Sequence, residues 1–319
     1  MAVLSRIYRY RFFQLSDRRP LPHSPGMGII ILIPIVIVGV ETVGARGSAV
    51  GWIKIYKELT MYTAEISRTN PALILFLFDC SYSMSEQYGT AKMSKGQYLA
   101  NICNESIDQI ILSCEKGDEI RAYFEIGILG YGEGSDILLP IQSVIDLANN
   151  PSRMVSETLD GVTVEKPEWI SDPTKRVNTD MIAGFRKAKS VLADWASTHP
   201  DSFPPVLIHV SDGEWTSDNP VQTALDIQSS VTTADGNCLI LNIHISSEGG
   251  DVLTYPAETP TGSEHQGALF GMSSELPESF YQRALEMYPA TQVGARGYMY
   301  NAQPEDLTKF FDIGTRLRG

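Results

Sequence analysis

The chain of 319 residues lacks the short motifs that mark common hydrolases and nucleotide-binding proteins. It contains no G-x-S-x-G elbow, no P-loop and no G-x-G-x-x-G following a predicted strand. Its five histidines form neither an H-x-x-x-H nor an H-E-x-x-H pair, the spacings typical of zinc enzymes. The sequence therefore argues against a zinc hydrolase and gives no support to nucleotide chemistry.

Cysteine is scarce and its spacing is uninformative for covalent or metal chemistry. Cys80, Cys103, Cys114 and Cys238 include no C-x-x-C pair and match neither a disulfide framework nor a zinc knuckle. Free thiols in a reducing compartment explain the pattern best, with disulfides as the alternative. We therefore expect a cytoplasmic protein.

Positive charge is also scarce, since 25 Lys and Arg face 38 Asp and Glu and the net charge is -13. An acidic chain is poorly suited to a nucleic-acid backbone, so no nucleic-acid partner is expected. A cation or a basic surface suits it better. The hydrophobic fraction of 43% is sufficient for a sizeable core.

The first sixty residues differ from the rest of the chain. Residues 1–60 carry a net charge of +5, and because the whole chain carries -13, residues 61–319 carry -18. This change of sign predicts a domain boundary near residue 60. The apolar run at 27–43 is broken by Pro34 and is shorter than the roughly 20 residues of a spanning helix. Three readings stay open: an export signal, a membrane anchor, or an over-extended translation whose natural start is Met61. A membrane location is the minority reading.

From residue 72 onward, short apolar runs alternate with longer amphipathic ones. This order is typical of the α/β class, with a doubly wound, mostly parallel central sheet flanked by helices. The predicted strands are 72–79, 119–132, 136–144, 204–213 and 238–246, with a short one near 297–302. The predicted helices are 94–114, 179–198, one capped by Asn219, 277–288 and 304–316. Residues 145–178 are predicted to form a long loop with short irregular elements, and residues 247–273 to form a loop.

Polar side chains follow two of the predicted strands where those strands end. Asp79, Ser81 and Ser83 follow the first strand in the order D-x-S-x-S, and Asp212 follows the fourth strand before a glycine. Thr179 opens the helix that precedes the fourth strand. The carboxyl ends of parallel strands share one edge of a sheet, so these five oxygen-bearing side chains are expected to converge there.

Hydroxyl and carboxylate oxygens together suit a hard cation. Mg²⁺ takes octahedral oxygen ligands and keeps water when protein ligands are few, and Mn²⁺ or Ca²⁺ are alternatives. Alternate positions in an extended loop can turn Asp79, Ser81 and Ser83 toward one centre. Such an ion would retain an open position that an acidic group from another molecule can fill.

The order D-x-S-x-S, then Thr, then Asp-Gly resembles the von Willebrand factor A domain and its metal-ion-dependent adhesion site. The resemblance covers about residues 70–316. It implies that Ser81, Ser83 and Thr179 offer hydroxyl oxygens and that Asp79 and Asp212 bind the ion directly or through water. Tyr82 stands where the family usually has glycine, and its ring would narrow access to the ion or contact a ligand.

A narrower similarity, carried by "VSDGEWTSD" at 210–218, is to the TerY-type tellurium-resistance branch of this family. This resemblance implies a non-enzymatic, Mg²⁺-dependent protein-binding module in a bacterial stress-response or defence assembly. The partner would present an Asp or Glu, and a kinase, a phosphatase or an AAA-type ATPase is expected nearby.

Two alternatives stay open at this point. One is a Mg²⁺-dependent phosphohydrolase with Asp79 as the nucleophile, which would need a Lys or a second carboxylate beside it. The other is a membrane-tethered sensor held by residues 27–43. Glu214 and Asp218 could shape the rim of the site, but loop residues in solvent are the simpler interpretation.

Overall fold

The computed structural model describes residues 61–89, 91–159, 162–174, 178–213, 215–216, 218–246 and 251–315. The predictions for residues 1–60, including the apolar run at 27–43 and the start at Met61, lie outside the described residues. Within these ranges, no helix combines the length and the apolar character needed to cross a membrane.

The principal elements of the described chain alternate between strands and helices. In chain order they are β1 (Ala72–Asp79), α1 (Lys95–Ser113), β2 (Phe124–Gly132), β3 (Gly134–Ser143), α2 (Val144–Asn149), β4 (Arg153–Leu159), β5 (Val162–Glu168), α3 (Met181–Thr198), β6 (Val206–Ser211), α4 (Val221–Ser230), β7 (Leu239–Ile245), β8 (Leu253–Thr254), α5 (Glu264–Met272), α6 (Glu278–Met287), β9 (Tyr298–Ala302) and α7 (Pro304–Thr315).

One sheet of seven strands organises the described residues, in the order β8-β9-β7-β6-β1-β2-β3. The five inner strands are parallel, while β3 and β8 run antiparallel at the two edges. The predicted α/β doubly wound class is confirmed. β2 and β3 lie outward from β1 on one side, and β7 and β9 lie outward from β6 on the other, so the strand order reverses between β1 and β6. Ligands of such sheets bind at this reversal.

β1 is buried along its whole length, as its unbroken apolar sequence predicts. Side chains alternate between the two faces of a strand, so this one strand supplies both halves of the core. One face packs with α1, α6 and α7 and holds Ile74, Phe76 and Phe78. The other face packs with α3, α4 and α5 and holds Leu73, Leu75 and Leu77.

α1 begins where the sequence predicts, and its start is fixed by a capping box. The hydroxyl of Ser94 accepts from the backbone N–H of Gln97, and the Gln97 side chain accepts from the backbone N–H of Ser94. The predicted apolar stripe is buried, and it comprises Leu99, Ile102, Ile107, Ile110 and Ile111.

The predicted loop at 145–178 was wrong in its first two thirds. It contains α2 and the hairpin of β4 and β5. The hairpin has only two strands and much of it is exposed, so its sequence lacks the continuous apolar run from which a strand is predicted. Asn104 of α1 anchors the chain just beyond it by accepting from the backbone N–H groups of Trp169 and Ile170.

The predicted loop at 247–273 was wrong in part: residues 255–263 are loop, but the segment also contains the two residues of β8 and most of its last third is α5. Gly267 and Gly271 lie inside α5, and glycine is an unfavourable residue in a helix interior. Smaller differences concern the strand predicted at 119–132, which begins at Phe124, and α4, whose N-cap is Pro220 instead of Asn219.

The four cysteines all lie in the described part of the chain, where they are buried thiols outside any disulfide. Burial raises the pKa of the Cys103 and Cys238 thiols well above their usual range. These groups contribute to the core as small apolar residues.

Candidate metal centre

The carboxyl ends of β1 and β6 lie side by side, because Phe78 pairs with Val210 one residue before each strand ends. Asp79 is the last residue of β1, and Asp212 directly follows β6. The sheet therefore brings together two carboxylates that are 133 positions apart in the sequence. They meet at the point where the strand order reverses.

Asp79 is fully buried and both of its carboxylate oxygens accept hydrogen bonds. Oδ1 accepts from the backbone N–H of Ser81 at 2.8 Å, and Oδ2 accepts from the Ser211 hydroxyl at 3.2 Å. Ser211 is the last residue of β6, so the neighbouring strand orients this carboxylate.

A chain of hydrogen bonds joins the two serines to the second carboxylate. The hydroxyl oxygens of Ser81 and Ser83 are 3.0 Å apart, and the Ser83 hydroxyl donates to Oδ1 of Asp212 at 2.8 Å. A short 3₁₀ turn at Tyr82–Ser85 turns the chain back toward the sheet just after β1. Four of the five predicted site residues thus form one connected group.

Thr179 lies at the same edge of the sheet and is 7% exposed. Its backbone N–H donates to the Thr216 hydroxyl at 3.2 Å, and its carbonyl accepts from the backbone N–H of Thr216 at 3.1 Å. The next residue, Asp180, donates its N–H to the carbonyl of Gly132 at the end of β2 and caps α3. Thr179 is therefore held between the end of β2 and the loop that carries Asp212.

One further residue, Lys95, belongs to this group and was not predicted from the sequence. Its ammonium donates to Oδ2 of Asp212 at 2.7 Å, to Oε2 of Glu86 at 3.0 Å and to the Ser83 carbonyl at 3.4 Å. Lys95 is 3% exposed. The sequence gives one indication of this contact. A lysine directly after the N-cap Ser94 lies at the positive end of the helix dipole, where a cation is unfavourable unless an anion lies close to it.

The electrostatics of Asp79 reflect its burial. Desolvation and the nearby negative charge of Asp212 raise the pKa of Asp79 to about 7, against the opposing effect of hydrogen bonds from Ser81 and Ser211. Removal from water disfavours the charged form, and a like charge adds to the cost. A bound cation would favour the carboxylate form again.

The residues predicted to surround the site differ in how exposed they are to solvent. The side chain of Tyr82 is 71% exposed beside the serines, so its ring faces solvent and is available to a ligand. Asp218 is exposed in the loop after Asp212, and Glu214 lies outside the described residues. His209 is buried in β6, as predicted, where its ring bonds with Tyr131 and Asn242.

The chemistry of this group fits a hard divalent cation held by oxygen ligands. The side chains of Asp79 and Asp212 are both buried, and the group adds three hydroxyl-bearing residues but no thiol or imidazole. Among the residues that the structure describes, no cluster of three or more His, Cys, Asp or Glu could hold a metal ion. A cation in this group would be held by the serine and threonine hydroxyls together with the two carboxylates.

Comparisons with known proteins gave matches only among solved structures. No protein-family model and no curated protein matches the chain. The proximal thread matrix protein 1 of the mussel byssus aligns with 80% of this chain and 49% of its own, at 13% identity and a TM-score of 0.44. A further structure of that protein, described as having a zinc-occupied MIDAS motif, has a TM-score of 0.40 at 14% identity and aligns over 80% of this chain and 47% of its own.

The "von Willebrand factor type A" structure from Catenulispora acidiphila aligns with 78% of this chain and 43% of its own, at 16% identity and a TM-score of 0.39. The chain thus spans about half or less of the length of these structures. The fold class of the chain rests on its own sheet order and connectivity.

Proposed function

We propose that the protein is a divalent-cation-dependent protein-binding module. Asp79, Ser81, Ser83, Thr179 and Asp212 would hold the ion, with Mg²⁺ as the physiological cation. The observation that carries the proposal is the connected group of Ser81, Ser83 and Asp212, which lies beside buried Asp79 at the strand-order reversal.

The partner would supply an Asp or Glu side chain as the last ligand. When bound, the cation provides a positive charge that attracts this carboxylate. The two serine hydroxyls hold the ion without adding negative charge, which leaves the ion attractive to an acidic group. Exposed Tyr82 lies next to these hydroxyls and would contact the partner surface around the carboxylate.

We place the module in a bacterial stress-response or defence assembly. This setting rests on the resemblance of the D-x-S-x-S, Thr and Asp-Gly residues to the adhesion-site family, and it is a matter of analogy of fold and motif. A non-enzymatic role accords with a site in which hydroxyls and hydrogen-bonded carboxylates serve as ligands.

Isothermal titration of the full chain with MgCl₂ tests the cation site directly. Wild type should bind the ion, whereas Asp79→Asn and Ser83→Ala should weaken binding at least tenfold. Asp218→Asn is the matched control for Asp79→Asn, because it neutralises an exposed carboxylate. Ser85→Ala is the matched control for Ser83→Ala, because its hydroxyl donates to the Tyr82 carbonyl and not to Asp212. Equal affinity in all five proteins would overturn the site.

The acidic partner requires a second experiment. The full chain is used as bait in lysate of its source organism, with Mg²⁺ or with EDTA, as wild type and as Asp79→Asn. A protein retained only by wild type with Mg²⁺ is then purified, and its exposed Asp and Glu residues are replaced one at a time. Loss of binding on one such replacement supports the proposal, and retention by all of these variants contradicts it.

A Mg²⁺-dependent phosphohydrolase is the second candidate, and Lys95 favours it. A lysine at the site was the element that this reading required. In the structure, however, Lys95 contacts Asp212 and Glu86, while both oxygens of Asp79 accept hydrogen bonds. Hydrolysis of p-nitrophenyl phosphate to the phenol and inorganic phosphate, dependent on Mg²⁺ and lost in Asp79→Asn, would establish the enzyme.

A further inference from the structure

Lys95 is a charged residue buried at the candidate metal centre. It is not one of the candidate metal ligands, and a cationic side chain cannot coordinate a metal ion. Its ammonium has three donors, and three oxygens lie within hydrogen-bond reach: Oδ2 of Asp212, Oε2 of Glu86 and the Ser83 carbonyl. Two of these acceptors, Asp212 and Ser83, belong to the predicted ligand residues. The lysine is therefore bonded directly to the cation site.

The position of Lys95 is electrostatically costly. It is the first residue of α1, where the helix dipole favours negative groups, and its side chain is almost completely removed from water. A buried lysine is retained only when paired, and the side chain of Asp212 is also fully buried. Glu86 is 57% exposed, so its contribution is screened by solvent. Asp212 is consequently the main compensating charge.

The two carboxylate oxygens of Asp212 have different partners. Oδ1 accepts the Ser83 hydroxyl, on the side of the two serines, and Oδ2 accepts the Lys95 ammonium. With Asp79 and Asp212 ionised, the buried charge of the group is -2, and Lys95 reduces it to -1. A divalent ion bound through the serines and Asp212 would share that carboxylate with a second positive charge.

We propose that Lys95 is a built-in counter-cation that sets the affinity of the site for divalent ions. It neutralises Asp212 when no ion is bound and repels an ion that binds beside it. The inference rests on the proposed function, because it assumes that this group of residues takes a divalent cation.

Replacement of Lys95 by a neutral residue tests the inference on the full chain. Lys95→Met should bind Mg²⁺ at least roughly tenfold more tightly than wild type, since repulsion between a unit charge and a divalent ion in a partly buried site exceeds RT. Without the ion, Lys95→Met should unfold at a lower temperature because Asp212 loses its partner. Saturating Mg²⁺ should then raise its Tm more than it raises that of wild type.

Matched variants separate this effect from a general one. Lys92→Met removes the same charge three residues earlier from an exposed side chain and should leave Mg²⁺ affinity within about twofold of wild type. Lys95→Arg keeps the charge and should keep the weaker affinity. If Lys95→Met does not fold, Lys95→Gln replaces it, because the amide can still donate to Oδ2 of Asp212.

The titrations distinguish failure of this inference from failure of the proposed function. Wild type that binds Mg²⁺ while the neutral variants bind no more tightly would overturn the counter-cation and leave the cation site intact. Binding by the neutral variants alone would support the counter-cation but contradict a native cation-dependent module. Absence of binding in wild type and neutral variants alike would overturn both.

Discussion

The hydroxyl of Tyr131 on β2 lies 2.8 Å from Nε2 of His209 on β6, so the two side chains bridge the central strand β1. Nδ1 of His209 faces Oδ1 of Asn242, whose amide nitrogen donates to the Ser273 hydroxyl. Nδ1 therefore carries the proton, and the Tyr131 hydroxyl donates to Nε2. Every group in this buried chain is satisfied with a neutral imidazole. A second ring proton at Nε2 would take away the acceptor that the Tyr131 hydroxyl uses.

We expect this histidine to make the protein less stable in acid. Burial lowers the pKa of His209 from 6.5 to about 4, although the Asn242 carbonyl opposes the shift. Between pH 6.5 and 4 the unfolded chain binds a proton at this histidine that the folded chain excludes, so the free energy of unfolding falls as the pH drops. Below about pH 4 both states are protonated, and this histidine lowers the stability no further. The pKa difference corresponds to about 3 kcal/mol at most.

Denaturant unfolding of wild type and His209→Gln at a series of pH values between 4 and 7.5 measures this effect. Between pH 4 and 6.5, the free energy of unfolding of the variant should change less steeply with pH than that of wild type, whatever the variant's overall stability. Parallel curves for the two proteins across that interval would contradict the assignment. His244, whose pKa burial and nearby Lys95 also lower to about 4, accounts for a similar share of the remaining slope.

Asp79→Asn should stabilise the protein when divalent ions are removed. The side chain is fully buried near a second carboxylate, and the amide keeps an oxygen for the Ser81 N–H while it removes the charge. We expect the free energy of unfolding in EDTA to rise by about 1 to 3 kcal/mol. A stabilised variant that has also lost Mg²⁺ affinity would show that the residue serves the site at a cost to the fold. Destabilisation in EDTA would contradict the prediction.

Gly184 of α3 should tolerate no side chain. An added Cβ would lie 2.8 to 2.9 Å from three atoms of Tyr131, including its Cβ, so the tyrosine cannot simply rotate away. We expect Gly184→Ala to cost about 1 to 3 kcal/mol, even though alanine favours a helix. The measurement is the denaturation midpoint.

Gly267→Ala is the matched control, because it also lies within a helix and an added Cβ would have nothing within 4 Å. It should raise stability by up to about 1 kcal/mol. Equal shifts in both variants would mean that α3 does not pack on β2 as closely as the structure shows.

Asn104 should be important for the connection between α1 and the segment after the β4–β5 hairpin. Its side-chain oxygen accepts from the backbone N–H groups of Trp169 and Ile170, and its amide donates to the Ile170 carbonyl at 2.8 Å. Asn104→Ala leaves these buried groups without that partner and should cost about 2 to 4 kcal/mol. Asn101→Ala, at an exposed position on the same helix, should change stability by less than about 0.5 kcal/mol.

Much of the fold followed from sequence patterns whose physical basis is local. β1 and β6 are fully buried strands with unbroken apolar sequences, and α1 has a capping box and one apolar stripe. The β4–β5 hairpin escaped prediction because two exposed strands need no apolar run. α5 escaped because two glycines and flanking turn-forming residues obscured its helical character.

The site was predictable as far as it depends on strand ends. Asp79, Ser81, Ser83 and Asp212 lie together because parallel strands finish at one edge. Their role as metal ligands, and that of Thr179, stays a prediction. Lys95 could not be placed with them from the sequence, because it reaches Asp212 only through the packing of α1 against the sheet and the two are 117 positions apart.

The two antiparallel edges of the sheet bear on self-association. An exposed regular edge strand invites pairing with another copy of the chain and can seed aggregation. Here one edge, β3, contains Pro140 and pairs with β2 through irregular register, and the other, β8, is only two residues long. Within the described residues, neither edge is a long, regular strand of the kind that fibril growth requires. The two edges therefore disfavour strand pairing between copies of the chain.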